Sequence, residues 1–148
     1  MLSTKKIYLS DDDHDDVEFF KLAVAEICGG CSLTVSYNGE ELLAQLENCG
    51  DDRPDIIFLD VNMPKINGLE ALKSLKQFSG FENIPVIVYS TTTNDTFIND
   101  AYSLGANHYF VKPFNFRELR EQVRTLLEID WKQHILPTEL SKFVLRTA

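Results

Sequence analysis

The chain has 148 residues, 44% of them apolar, which suits one domain with a short extension. Its formal net charge of −9 and pI near 4.7 argue against binding to a phosphate backbone. No apolar run approaches the roughly 18 residues needed to span a bilayer, and the start Met1-Leu2-Ser3-Thr4-Lys5-Lys6 lacks a signal-peptide core, so a cytoplasmic protein is expected.

Strand-like and helix-like patterns alternate. Ile7-Tyr8-Leu9-Ser10 reads as a first strand, and Val17, Phe20, Val24 and Ile27 recur at helical spacing until Gly29-Gly30. Cys28-Gly29-Gly30-Cys31 has C-x-x-C spacing but follows a helix rather than opening one, and no second ligand pair suggests zinc. Two free thiols flanking a turn are expected, with Cys49 apart. Leu33-Thr34-Val35-Ser36-Tyr37 reads as a second strand; Leu42, Leu43 and Leu46 mark a second helix. Ile56-Ile57-Phe58-Leu59 is an unbroken apolar run, typical of a strand buried on both faces, and it ends on Asp60. Leu69, Leu72 and Leu75 mark a third helix, Pro85 to Ser90 a fourth strand, and Phe97, Ala101 and Leu104 a fourth helix stopped by Gly105. His108-Tyr109-Phe110-Val111 and the spacing Phe116, Leu119, Val123, Leu126 complete a fifth pair. In the region 129–148, Leu136, Leu140, Phe143 and Val144 recur at helical spacing and Thr138 is placed to cap. A short helix is expected there, covering its own domain or docking on a partner or a second copy, with Trp131 as an anchor.

Five strand–helix units imply a parallel sheet between helices, with all post-strand loops at one edge. That edge should gather Asp11-Asp12-Asp13, Asp60, Ser90 and Lys112-Pro113. Crowded carboxylates repel unless a cation joins them, and oxygen ligands suit Mg²⁺, with Mn²⁺ as a substitute. Mg²⁺ usually keeps only one or two carboxylates and a phosphate. The set therefore points to phosphoryl transfer onto a carboxylate, with Lys112 as a point charge and Ser90 as a hydroxyl donor. Each residue alone reads as readily as a cap or turn, and residues 11–16 as an acidic first helical turn; the ordered coincidence at strand ends carries the inference.

These motifs resemble the receiver domain of two-component response regulators. The resemblance covers about residues 5–128 and rests on Ile7 to Asp13, Pro54 to Pro64 with Asn67-Gly68, Ile84 to Ser90, Gly105-Ala106-Asn107 and Tyr109 to Phe114. It implies a flavodoxin-like (βα)5 doubly wound parallel sheet, order 2-1-3-4-5, over residues 1–128, with a C-terminal extension over 129–148. It further implies Asp60 as phosphoacceptor, Asp12 and Asp60 as direct Mg²⁺ ligands, Asp11 acting mainly through water, and the Asn62 backbone carbonyl as another ligand. Ser90 takes the place of the switch hydroxyl, Tyr109 of the switch aromatic and Lys112 of the phosphate-pairing lysine; the Lys112–Pro113 bond is usually cis in the family. Thr91 stands where a smaller residue is common and could narrow access to Asp60. Asn62 and Thr92 occupy positions that tune dephosphorylation, and His14 is expected as a solvated loop residue.

The expected function is a single-domain response regulator, not an enzyme beyond its own phosphorylation and dephosphorylation. A histidine kinase or histidine phosphotransfer protein would phosphorylate it, with output through a protein partner, a relay or a homodimer and without nucleic acid or membrane. About twenty residues beyond the receiver region leave no room for an output domain. Two alternatives stay open: a receiver-fold binding module that no longer signals by phosphorylation, and a metal-dependent phosphatase. The phosphatase would want an acid where Asn62 stands, and a cap domain.

Overall fold

The structure is a computed structural model that describes residues 3–61, 67–78, 80–133 and 139–146. In chain order the elements are β1 (Lys6–Ser10), α1 (His14–Ile27), β2 (Ser32–Ser36), α2 (Gly39–Asn48), β3 (Ile56–Leu59), α3 (Gly68–Lys76), β4 (Val86–Ser90), α4 (Asp95–Ser103), β5 (His108–Val111), α5 (Phe116–Glu128), α6 (Leu140–Phe143) and β6 (Val144–Leu145). The strands pair in parallel in the order β2-β1-β3-β4-β5-β6. The expected five-strand order is present, and the tail adds a sixth strand at the β5 edge.

Alternation along the strands divides the core in two. On β3, Ile56 and Phe58 face α1 and α5 alongside Val17, Phe20, Val123 and Leu126. Ile57 and Leu59 face α2, α3 and α4 alongside Leu42, Leu72, Leu75 and Ala101. All four β3 residues are buried, as a central strand covered on both faces requires. On α4 the inward residues are Ile98 and Ala101; Phe97, expected inside, is half-buried because the helix is turned by one residue from the spacing read in the sequence.

Side-chain caps start the helices. Asp13 accepts from the Asp15 and Asp16 amides at α1. Asn38, Asn67, Asn94 and Asn115 accept from the amides of Glu41, Glu70, Thr96 and Glu118 at α2 to α5. His14, expected in a solvated loop, opens α1 and stacks on Tyr37, with ring centroids 4.5 Å apart.

Two further expectations are corrected. Cys28 and Cys31 are joined in a disulfide, not held as two thiols: extended backbone at Cys28 and the Gly29-Gly30 turn bring their Cα atoms to 5.5 Å, within bridging range. Cys49 keeps a free thiol. Among the described residues no peptide bond is cis, so Lys112–Pro113 is trans, the isomer intrinsically favoured before proline.

The tail helix is a single turn, and Val144, expected to continue it, turns into β6. Thr138 and Leu136 lie outside the described residues. Phe143 is fully buried, so this part of the tail covers its own domain.

Gly68 opens α3 against the backbone that follows β3. A Cβ there would lie 2.0 Å from the Asp60 carbonyl oxygen and 2.6 Å from the Val61 Cα. Gly68→Ala is therefore expected to lower stability by about 1–3 kcal/mol through overpacking. A reduced denaturant midpoint at unchanged slope checks this.

Candidate functional site

The acids and the lysine sit where strands end, and ladder hydrogen bonds hold each one. The Asp11 amide donates to the Ser36 carbonyl (3.0 Å), the Asp60 amide to Ser10 (2.9 Å) and the Lys112 amide to Ser90 (2.9 Å). The backbone at the mouth of the sheet is thus fixed before any side chain is considered.

Lys112 projects into this mouth. Its Nζ donates to Asp11 Oδ2 at 2.7 Å, Asp16 Oδ2 at 2.8 Å and Asp60 Oδ2 at 3.1 Å, and lies 5.0 Å from the centre of the Tyr89 ring. Burial alone would lower its pKa, but the Asp60 and Asp11 carboxylates outweigh burial and hold it above its ordinary value. Asp11 is fully buried, and desolvation raises its carboxyl to about 7 despite the neighbouring ammonium. One ammonium faces more acids than it can neutralise.

Asp12 adds another carboxylate, exposed on the rim. One oxygen from each of Asp11, Asp12 and Asp60 lies within 4.8 Å of the others. All-oxygen donors, an acid excess and a partly open rim fit a hard divalent cation with remaining water or phosphate ligands. Asp11, Asp12 and Asp60 would hold it; the expected fourth donor, the Asn62 carbonyl, lies outside the described residues.

Ser90 is fully buried at the end of β4, its Oγ accepting from the Thr92 amide at 3.2 Å. Tyr109 is also fully buried and donates its hydroxyl to the Thr92 carbonyl at 2.8 Å. Burial is the main cause that pushes the phenol up to about 12, so it remains a donor. Ser90 and Tyr109 thus grip the same loop residue. Thr91 is exposed beside them, on the wall of a cavity of about 290 Å³ that also includes Lys112, Tyr89, Phe19 and Phe114.

The structure brings Asp11, Asp12, Asp60 and Lys112 together, with Ser90 at the end of the adjoining β4 and Tyr109 two residues before the end of β5. Sequence reasoning missed Asp16 as a Lys112 partner. Asp16 precedes Phe20, Ala23 and Ile27 by four, seven and eleven residues, which places it on the inward face of α1. That phase was the available signal, hidden within a run of aspartates.

The chain matches the family described as "Response regulator receiver domain" over residues 7–124. It is 36% identical to the transcriptional regulatory protein CpxR of Klebsiella pneumoniae over 135 residues, 90% of this chain and 54% of that protein. It is 32% identical to the transcriptional regulatory protein KdpE of Staphylococcus aureus, over 84% of this chain and 50% of that protein. The chain spans about half the length of these curated relatives. Among solved structures, the phosphorylated cyanobacterial phytochrome response regulator RcpA aligns with a TM-score of 0.80 at 31% identity, covering 92% of this chain and 100% of that one. The Mn²⁺-bound form of response regulator Rcp1 aligns with a TM-score of 0.75 at 28% identity, covering 90% and 99%. The chain belongs to the response-regulator receiver family, whose business is phosphorylation-based two-component signalling. Among the described residues, no helix is long and apolar enough to cross a membrane.

Asp12→Asn is expected to change stability by less than about 0.5 kcal/mol, because the residue is exposed, while weakening Mg²⁺ or Mn²⁺ binding. Calorimetric titration of the folded variant checks the binding, and a denaturant midpoint checks the stability. Lys112→Ala strands buried carboxylates and should cost about 3–5 kcal/mol in metal-free buffer. Added Mg²⁺ should restore part of that loss in the denaturation midpoint.

Proposed function

We propose that this chain is a phosphorylation switch that accepts a phosphoryl group on Asp60. The observation that carries the reading is the convergence of Asp11, Asp12 and Asp60 with Lys112 at one sheet edge. The donor is a phosphohistidine on a histidine kinase or histidine phosphotransfer protein. An Asp60 carboxylate oxygen attacks phosphorus, the phosphorus–nitrogen bond breaks, and the imidazole leaves with a proton, giving an aspartyl phosphate.

Mg²⁺ when bound, or Mn²⁺ in its place, supplies positive charge to the phosphoryl oxygens; Asp11 and Asp12 hold it with Asp60. Lys112, now shared among Asp11, Asp16 and Asp60, places its ammonium beside the acceptor. Ser90 lies at the end of the neighbouring strand, where its hydroxyl could donate to the modified group and draw the Thr92 loop with it. Exposed Phe19 and Phe114 line the cavity beside Lys112 and offer an apolar seat for the donor.

Turnover is confined to Asp60 itself, so the protein is a switch rather than an enzyme acting on a free substrate. Output runs through a protein partner or onward phosphotransfer. A cytoplasmic location suits a kinase donor. In a reducing compartment the Cys28–Cys31 bond would be transient.

Intact mass after incubation with acetyl phosphate and Mg²⁺ tests the reading. A phosphoryl adduct is expected in wild type, absent in Asp60→Asn and lost on chelation. An unmodified wild type that still binds Mg²⁺ would favour a binding module instead.

A further inference from the structure

Part of the face built from α4, β5 and α5 is already covered by the chain's own tail. β6 lies parallel to β5, with Val144 opposite Tyr109 and Leu145 opposite Phe110. Phe143 is fully buried just before it. Its ring meets Tyr102 of α4 edge-on at 5.1 Å, stacks over His108 at 6.4 Å and lies 6.5 Å from the ring of Tyr109. The Phe143 carbonyl oxygen is 3.1 Å from His108 Nδ1.

Tyr109 is therefore engaged at both ends. Its hydroxyl donates to the Thr92 carbonyl, while the Thr92 amide donates to Ser90 Oγ. Its ring packs against Phe143 and its backbone pairs with β6. We propose that residues 139–146 are an intramolecular ligand of the switch face, seated on the β5 edge when Tyr109 is turned inward, so that tail docking and occupancy of Asp60 favour each other. This rests on Asp60 being the phosphoacceptor.

The coupling follows from packing. Side chains in a dense core move between discrete rotamers rather than by continuous adjustment. A Tyr109 turned toward the β5 edge would enter the volume that Phe143 fills and would give up the Thr92 bond. The docked tail thus selects the inward rotamer, and that rotamer holds the Thr92 loop beside Ser90. Phosphorylation that draws Ser90 and its loop inward selects the same rotamer from the other side. Linkage then requires the effect to be reciprocal. A protein partner seeking the β5 edge competes with β6, because β4 occupies the opposite edge of that strand.

Hydrogen exchange of the full chain in Mg²⁺, with and without beryllofluoride as the phosphoryl mimic, tests the proposal. The Val144 and Leu145 amides are expected to exchange at least about fivefold more slowly with the mimic, the lower end of ordinary coupling between two sites. Phe143→Ala should weaken beryllofluoride binding by the same factor. Val144→Pro, which removes the amide that donates to the Leu140 carbonyl and disturbs β6 while leaving Phe143 in place, should do likewise. Protection around Asp60 and Thr92 with no change at residues 144 and 145 would overturn the coupling while leaving the phosphoacceptor reading intact. No response at either place, in folded protein that binds Mg²⁺, would overturn both. Tail protection that rises with protein concentration would place the tail on a second copy and overturn the intramolecular reading.

Discussion

The rest of the site depends on one buried ammonium. Lys112 meets Asp11, Asp16 and Asp60 at 2.7, 2.8 and 3.1 Å, and its stem passes out of a strand whose neighbours are all paired. Without it, buried carboxylates would face one another across the mouth of the sheet, a cost that the Asp13 amide, donating to Asp11 Oδ1 at 3.0 Å, offsets only in part. With it, they are held close yet incompletely neutralised. That imbalance suits a divalent cation and, on the function proposed above, the charge of an incoming phosphoryl group. A fully compensated cluster would be more stable and less reactive.

The geometry that makes this possible comes from the parallel topology. Asp11, Asp60, Ser90 and Lys112 follow different strands, far apart in sequence, yet each lies within one residue of a strand end. Ladder bonds from β1, β2 and β4 fix the backbone of the acids and the lysine. Gly68 lets α3 approach the backbone of Asp60 so closely that any side chain would collide. The site is rigid because it is an extension of the sheet rather than a loop laid over it.

Much of this was legible from residue order. β3 is an unbroken apolar run ending in an acid, and its burial on both faces follows from that run. The helical phase of Val17, Phe20, Val24 and Ile27 also matched the buried face of α1. What escaped notice was either too short or too dependent on the third dimension. A two-residue strand such as β6 has no period, and its existence depends on an open β5 edge. Asp16 could be separated from Asp15 only by projecting α1 onto a helical wheel. Ile98 rather than Phe97 faces inward because apolar residues stand side by side on a short helix, so its spacing does not define a unique phase. The bond between Cys28 and Cys31 depends on how Gly29-Gly30 turns the chain back.

The single tryptophan is placed to be useful to an experimenter. Trp131 follows α5, at the opposite end of the sheet from the acids, with its indole N–H donating to the Leu126 carbonyl. Its ring lies 6.0 Å from His108, which in turn touches Phe143. Its fluorescence should be blind to direct quenching by a paramagnetic ion at the carboxylates. Instead it reports the seating of the C-terminal segment, so the wild-type chain carries its own optical probe of that region without a label.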